Sequence, residues 1–412
     1  MDRQFEKSSR EEQLKILIRR LHDGASVADL KREFHYLLEH LSAEEIAAME
    51  QSLVNEGFPV KSIQELCEIH VEVFEDSLKK HSEQAQPAGH PVETYKRENR
   101  EAERRIKDIR TCLTGMRRRS GSEEYARLKS LAEDLRNYEK HYQRKENQLF
   151  PKLEAVGFTG PTNVMWGKHD EIRDAMKHFI AGIDAALVPK ELKARFAAVS
   201  RKIGKMIFME EKILFPTSMI KLSEKDWEQI RSEEPEIGYS WFDIPREAHP
   251  GTQKSRLQAA AEPVYNGEDE EDMMSKPIQI PLNEGYLTQQ QLDLMLRVLP
   301  VDVTFVDEHD QVRYYSAADD RLFPRTPSII GRDVQNCHPP KSVHIVQKIV
   351  ESFRNKERDC AEFWIDFRGK KVHIRYFPVY DQSGAYRGTV EVSQDVTGIM
   401  QLEGERRLLD WE

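Results

Sequence analysis

The middle of the chain places histidine and carboxylates at helical spacing, twice. The stretch HYQRKENQLFP runs from His141 to Pro151, and MIFMEEKILFP runs from Met206 to Pro216. Superposed, Glu146 meets Glu211, and Leu149, Phe150 and Pro151 meet Leu214, Phe215 and Pro216. His141 meets Met206, and Lys145 meets Glu210. A His and a carboxylate four residues apart lie about 40° from each other around a helix, so both can reach one metal. Two such helices facing inward, with single side chains from two others, build a carboxylate-bridged di-iron site in a four-helix bundle. Non-haem iron accepts imidazole and carboxylate together. Each copy here holds half of that pair. His141 has Lys145 four positions on, Glu210 has Met206 four positions before, and Glu146 is expected about 140° from His141 on a regular helix. The plain alternative is two amphipathic helices whose Leu-Phe-Pro ends pack on a core.

The elements that must position these residues follow from punctuation and periodicity. Gly89-His90-Pro91 opens the first helix, with Pro91 in its first turn, and that helix runs to about Met116. Further helices are expected over Ser122–Leu153, Thr162–Leu187 and Pro189–Leu222. Pro151 and Pro216 are expected to end or kink theirs. His90, just outside the first helix, is either a turn residue or a cap on the open end of a metal site. His178 is out of phase with His169 and is expected at the surface or in packing.

Taken in order, HYQRKENQLFP, KHDEIR at Lys168–Arg173 and MEEKILFP at Met209–Pro216 resemble the second, third and fourth helices of the hemerythrin-like (HHE cation-binding) family. Tyr95–Ile109 stands as the first helix. The resemblance implies a four-helix bundle over residues 88–222 and iron as cofactor. It carries metal-ligand roles onto His141, His169 and Glu210. The family's first-helix His falls at Glu98-Asn99, its second-helix Glu at Lys145 and its fourth-helix His at Met206. The readings left open are a di-iron centre that recruits Glu146, Glu211 or His90, a single metal, a haem on His141 or His169, and no cofactor.

A chain of 412 residues accommodates two or three domains. A formal net charge of −10 argues against non-specific nucleic-acid binding, which needs clustered excess Lys and Arg. The four cysteines, at 67, 112, 337 and 360, lack CxxC spacing and indicate neither a disulfide framework nor a zinc knuckle. No apolar run approaches the roughly 18 residues of a membrane span, and Met1–Arg10 lacks the apolar core of a signal peptide. A cytoplasmic location is expected.

Residues 1–85 read as short helices, among them Gln13–Leu21, Val27–His40 and Ile63–Lys80. Cys67 and His70 share a face of the last, more as a buried Cys beside a His than as a metal pair. GFPVKSIQELCEIHVEVF resembles an uncharacterised helical domain that often precedes hemerythrin-like and PAS domains. Residues 223–283 read as a linker, with IGYSWFDIP aromatic enough to dock on a neighbour and GEDEEDMMS acidic and solvated.

From residue 284 the pattern changes. Gln289–Leu299 is a helix, and VDVTFVDEHDQVRYYS alternates as two strands around a Glu308–Asp310 turn. Ser342–Phe353 is a helix, and the segment from Cys360 to Thr397 reads as three strands with turns at Gly369 and Asp381–Gly384. VDVTFVDEHDQVRYYS and GTVEVSQDVT resemble a PAS domain, which implies an α+β fold with a ligand or cofactor between sheet and helices. The candidate cofactor residues are His338 and Cys337, in a Pro-bounded segment that suits an axial haem ligand or merely a turn. His373 points opposite to Val372 and Ile374, and Trp364 could join Tyr376 in an aromatic wall.

The fold class is therefore multi-domain and mainly α: a helical domain, a four-helix bundle and a PAS-like α+β domain. No kinase, cyclase or DNA-binding signature is present before Glu412, so the output is expected through a downstream signalling protein. Three functions are weighed. The first is a sensor that uses iron or haem to detect oxygen, nitric oxide or redox state, with a small-molecule or gas ligand and a homodimer. The second is an iron-handling protein of the iron–sulfur repair type. The third is a metal-free interaction scaffold.

Overall fold

Each half of the chain is built from a different period. In the computed structural model, residues 10–22, 24–34, 36–37, 52, 56, 89–117, 121–242, 279–317 and 321–405 are described. They divide between a helical unit and a mixed α+β unit. Cys67 and His70, and most of the expected linker, lie outside the described residues.

In the helical unit, α1 (Arg10–His22) and α2 (Val27–Glu33) bury Leu17, Ile18 and Leu30. The first bundle helix, α3 (Pro91–Gly115), starts where His90 accepts the Val92 N–H at its Nδ1 and Pro91 needs no amide partner. The second is not the unbroken helix expected. It bends at Asn137-Tyr138 between α4 (Ser122–Arg136) and α5 (Glu139–Arg144). The third is α7 (Gly160–Asp184), packed along α8 (Pro189–Met209) of the fourth.

Neither Pro151 nor Pro216 ends its helix. Ahead of each lies a five-residue π turn, Lys145–Leu149 and Glu210–Leu214, and the helix continues as α6 (Phe150–Ala155) and α9 (Phe215–Lys221). Phe150 donates its amide to the Lys145 carbonyl and Phe215 to that of Glu210, five residues back. Each proline takes the second place of the segment that follows, where a missing amide costs least.

The region read as a linker begins with a helix, α10 (Glu224–Ile237), opened by a Ser223–Asp226 capping box. Its buried Trp227, Ile230 and Glu234 face α3 and α5. Gly238, with φ of 78°, turns the chain, and the Ser240 amide and Trp241 indole then bond to Glu98 and to the Asp134 carbonyl. The aromatic segment thus docks on the bundle itself.

In the α+β unit a short pair, β1 (Gln279–Pro281) and β2 (Tyr286–Thr288), precedes α11 (Gln289–Val298). A five-stranded antiparallel sheet follows in the order β4-β3-β7-β6-β5. Its strands are β3 (Asp302–Asp307), β4 (Val312–Tyr315), β5 (Ala361–Phe367), β6 (Lys370–Tyr380) and β7 (Tyr386–Asp395). The helix α12 (Val343–Arg354) lies on β6 and β7 and buries Val350 and Phe353. At Gly388, φ is 139° and a Cβ would fall 2.1 Å from the Val306 carbonyl oxygen, so β7 approaches β3 there only with glycine.

Candidate functional site

The π turns decide what faces the centre of the bundle. An i→i+5 bond adds a residue to the turn, so two consecutive side chains, at 145 and 146 in one copy and at 210 and 211 in the other, both reach inward. All four are buried. The two inner members pair with each other: the Lys145 ammonium donates to Glu210 Oε1. The two outer members are held alike. Glu146 accepts from His169 Nδ1 at 2.7 Å and from Arg173 at 2.9 Å. Glu211 accepts from Asn99 at 3.1 Å and from Arg100 at 2.5 Å.

From this core a continuous buried chain runs across the helices. Lys145 Nζ lies 2.9 Å from His169 Nε2, which accepts because Nδ1 donates to Glu146. The second Glu210 oxygen lies 3.0 Å from His141 Nε2, and His141 Nδ1 lies 2.9 Å from Glu98. Two carboxylates facing both ring nitrogens are satisfied together by a doubly protonated ring or by a proton shared with one carboxylate. Glu98 also accepts from Arg144 and from the Ser240 amide, and Arg144 reaches Glu234 at 2.7 Å. Tyr239 donates to the other Glu234 oxygen. Tyr138 stacks on His141 and Tyr142 on His169, with ring centroids 4.6 and 4.4 Å apart, which fixes both imidazoles.

The electrostatics follow from burial against pairing. Burial pushes the Glu98 carboxyl up, but Arg144 and His141 outweigh it and bring it down to about 2. Burial acts on Glu210 in the same sense, and Lys145 and His141 hold it far below the ordinary carboxylate range. Burial lowers the Lys145 ammonium against the pull of Glu210. Burial, helped by Lys145 and Arg173, takes His169 well below the ordinary imidazole value and keeps it neutral. Burial raises Glu234 to about 7 despite Arg144.

This donor set does not fit a metal centre of the bundle type. Both nitrogens of His141 and of His169, and both oxygens of Glu210, already face partners within the network. Among the described residues, no group of three or more His, Cys, Asp and Glu side chains is placed to hold a metal ion. Lys145 also sits where an ion bridging Glu210 and His169 would sit. A divalent ion about 4 Å from the ammonium would be repelled by about 8 kcal/mol at an effective dielectric of about 20.

The expected site residues therefore scatter. His141, His169, Glu210 and Glu146 converge on one network, and Glu211 stands on its far side with Asn99. Met206 is fully buried in the hydrophobic core. His90 caps α3 and packs its ring on Trp227, with centroids 4.7 Å apart, away from the network. His178 is exposed, its Nδ1 bonded to the Asp174 carbonyl. Glu98, Arg144, Lys145 and Glu234 are the members that sequence reasoning left out of the site. The first-helix position of the resemblance was the one signal for Glu98, and nothing local marked Glu234.

In the α+β unit, Val372 and Ile374 are buried on the sheet face that α12 covers, so His373 lies on the opposite face and bonds Glu362 of β5 at 2.5 Å. Trp364, register partner of His373, is 66% exposed on that same outer face. The sequence left His373 open between pocket and solvent and offered Trp364 as a wall residue; the strand register puts both on the outer face, away from the covered side. Tyr376 and Glu391 are register partners on the inner face. His338 follows the 3₁₀ turn Val334–Cys337 and donates Nδ1–H to the Val334 carbonyl at 2.8 Å, while Cys337 Sγ lies 3.6 Å from the Asp333 carbonyl. Burial pushes His338 down, against Val334 and Glu391, and burial pushes Tyr376 up. Glu391 and Arg325 act on both groups, so these four side chains share one electrostatic neighbourhood over the sheet.

Three family comparisons match consecutive parts of the chain. A family of unknown function, DUF438, matches residues 14–80, the Hemerythrin HHE cation binding domain matches 90–218, and a PAS domain family matches 292–397. Among solved structures, the C-terminal domain of a protein from Streptococcus mutans is 38% identical, over 31% of this chain and 98% of that one, with a TM-score of 0.29. A PAS domain from Colwellia psychrerythraea is 16% identical over 26% of this chain and 97% of that one, TM-score 0.22. The PAS domain of BvgS from Bordetella pertussis is also 16% identical, over 26% and 85%, TM-score 0.23. No curated protein matches. Among the described residues, no helix is long and apolar enough to cross a membrane.

Proposed function

The chain joins a DUF438 segment, a hemerythrin HHE domain and a PAS domain in that order, and from that order we propose that it is a signalling protein whose PAS domain receives the signal. The helical bundle, in this reading, is a metal-independent scaffold that passes the signal to a partner protein. The observation that carries the reading is the state of His338. Its Nδ1 is anchored on a backbone carbonyl, which leaves Nε2 as an acceptor within the electrostatic reach of Glu391 and Arg325, the two charges that also act on Tyr376. A second-bond anchor of this kind orients an imidazole for an incoming ligand. His338 is the residue that would hold a haem iron, and the same four groups offer charge and hydrogen bonds to a smaller polar ligand. Haem, when bound, would supply gas binding or redox chemistry. His338 would hold it in place, and Arg325 would meet one of its negative groups.

The test is the absorption spectrum and native mass of the full chain purified without oxygen, before and after haem supplementation. The reading expects a bound molecule that is lost in His338→Ala and kept in His141→Ala. A molecule lost in His141→Ala and kept in His338→Ala would move the receiving site to the bundle. No bound molecule under either condition would overturn the reading.

A further inference from the structure

The two π turns make positions 145 and 210 equivalent, and one carries the cation where the other carries the anion. Lys145 reaches the two atoms that an ion on these helices would need, Glu210 Oε1 and His169 Nε2. The surrounding donors are arranged for that cation. Glu98 and Glu210 clasp His141 from both sides, and Glu146 is drawn off by His169 Nδ1 and Arg173. His169 presents its lone pair to the ammonium, and Tyr142 lies under it with the ring centroid 4.9 Å from Nζ.

We infer that the Lys145 ammonium is a built-in replacement for the metal of this bundle, and that its charge is the main barrier that keeps a metal ion from Glu210 and His169. With Glu at 145, the repeat would place two carboxylates face to face beside His141 and His169. A divalent cation of the iron or cobalt type would then be the charge-balancing ligand. This inference concerns the bundle and does not depend on the PAS reading.

The experiment uses the full chain, stripped of metal and titrated anaerobically with Co(II). Visible absorption and bound cobalt per chain are read out, with helicity by circular dichroism. Wild type is expected to take up no cobalt. Lys145→Glu is expected to bind one or two ions, with bands that weaken at least tenfold when His169→Ala is added. Stoichiometric uptake by wild type, lost in His141→Ala, would overturn the inference, as would a folded Lys145→Glu that binds none. Lys145→Gln covers the case in which the glutamate variant does not fold. It supplies an oxygen donor without charge, so Co(II) should raise its melting temperature and leave that of wild type unchanged. A folded Lys145→Gln that cobalt does not stabilise contradicts the inference. If neither variant folds, uptake by wild type decides alone: none supports the inference, stoichiometric binding overturns it.

Discussion

Lys145 and Glu210 occupy the same place in the two copies of one helical signature, and they bond to each other at the centre of the bundle. A position that the repeat duplicates has taken opposite charges. The pair closes a network in which Arg173, Lys145 and Arg144 alternate with Glu146, Glu210, Glu98 and Glu234, bridged by His169 and His141. Buried charge is costly unless paired, and here the protein supplies its own partners.

Breaking the central pair on one side should be severe. Lys145→Met leaves Glu210 buried without its ammonium and is expected to cost about 3–5 kcal/mol in urea unfolding. Adding Glu210→Met should recover part of that loss, because the double variant buries no orphaned charge at these positions. A double variant less stable than the single one would contradict the pairing.

Glu98 should show its partners through acid. Its carboxyl is lowered to about 2 in the folded chain against an ordinary 4.5, so its contribution is present above about pH 4.5 and is lost as pH falls through about 2. Glu98→Gln is expected to cost about 3 kcal/mol at pH 7, with the gap to wild type closing toward pH 2. Denaturation curves across that range check the slope.

Glu234 carries the opposite sign. A carboxyl raised to about 7 gives stability below pH 4.5 that drains away as pH rises through 7. Glu234→Gln should therefore gain on wild type between pH 5 and pH 8 in melting temperature. A constant difference would mean that Arg144 keeps Glu234 ionised throughout.

In the α+β unit, Gly388→Ala should be among the most damaging small substitutions. Its Cβ would meet the Val306 carbonyl at 2.1 Å, and β3 and β7 would have to separate. The expected result is loss of the cooperative unfolding of this unit while the bundle helices, followed by hydrogen exchange, keep their protection. Unchanged protection in β3 and β7 would contradict it.

Much of this architecture was legible in the residues. The Leu-Phe-Pro repeat marked two matched helices, and strand alternation marked the sheet, its turns at Gly369 and Asp381–Gly384, and the opposition of His373 to Val372 and Ile374. What stayed hidden has physical causes. A regular 100° step per residue puts Glu146 on the wrong face, and only a π turn brings it in beside Lys145. Arg144, Glu98 and Glu234 look like the solvated face of amphipathic helices until their mutual pairing is seen. α10 has the composition of a linker, yet Trp227 and Ile230 bury it. Which face of the sheet is covered is set by α12 and the register, so parity alone left Trp364 and His373 undecided.

The most direct test is diffraction from crystals of the anaerobically purified, iron-supplemented full chain, collected on both sides of the iron absorption edge. The account predicts no anomalous peak within the bundle, and electron density for the Lys145 side chain ending between Glu210 and His169. An iron peak ligated by His141, His169 or Glu210, with Lys145 turned away, would contradict it.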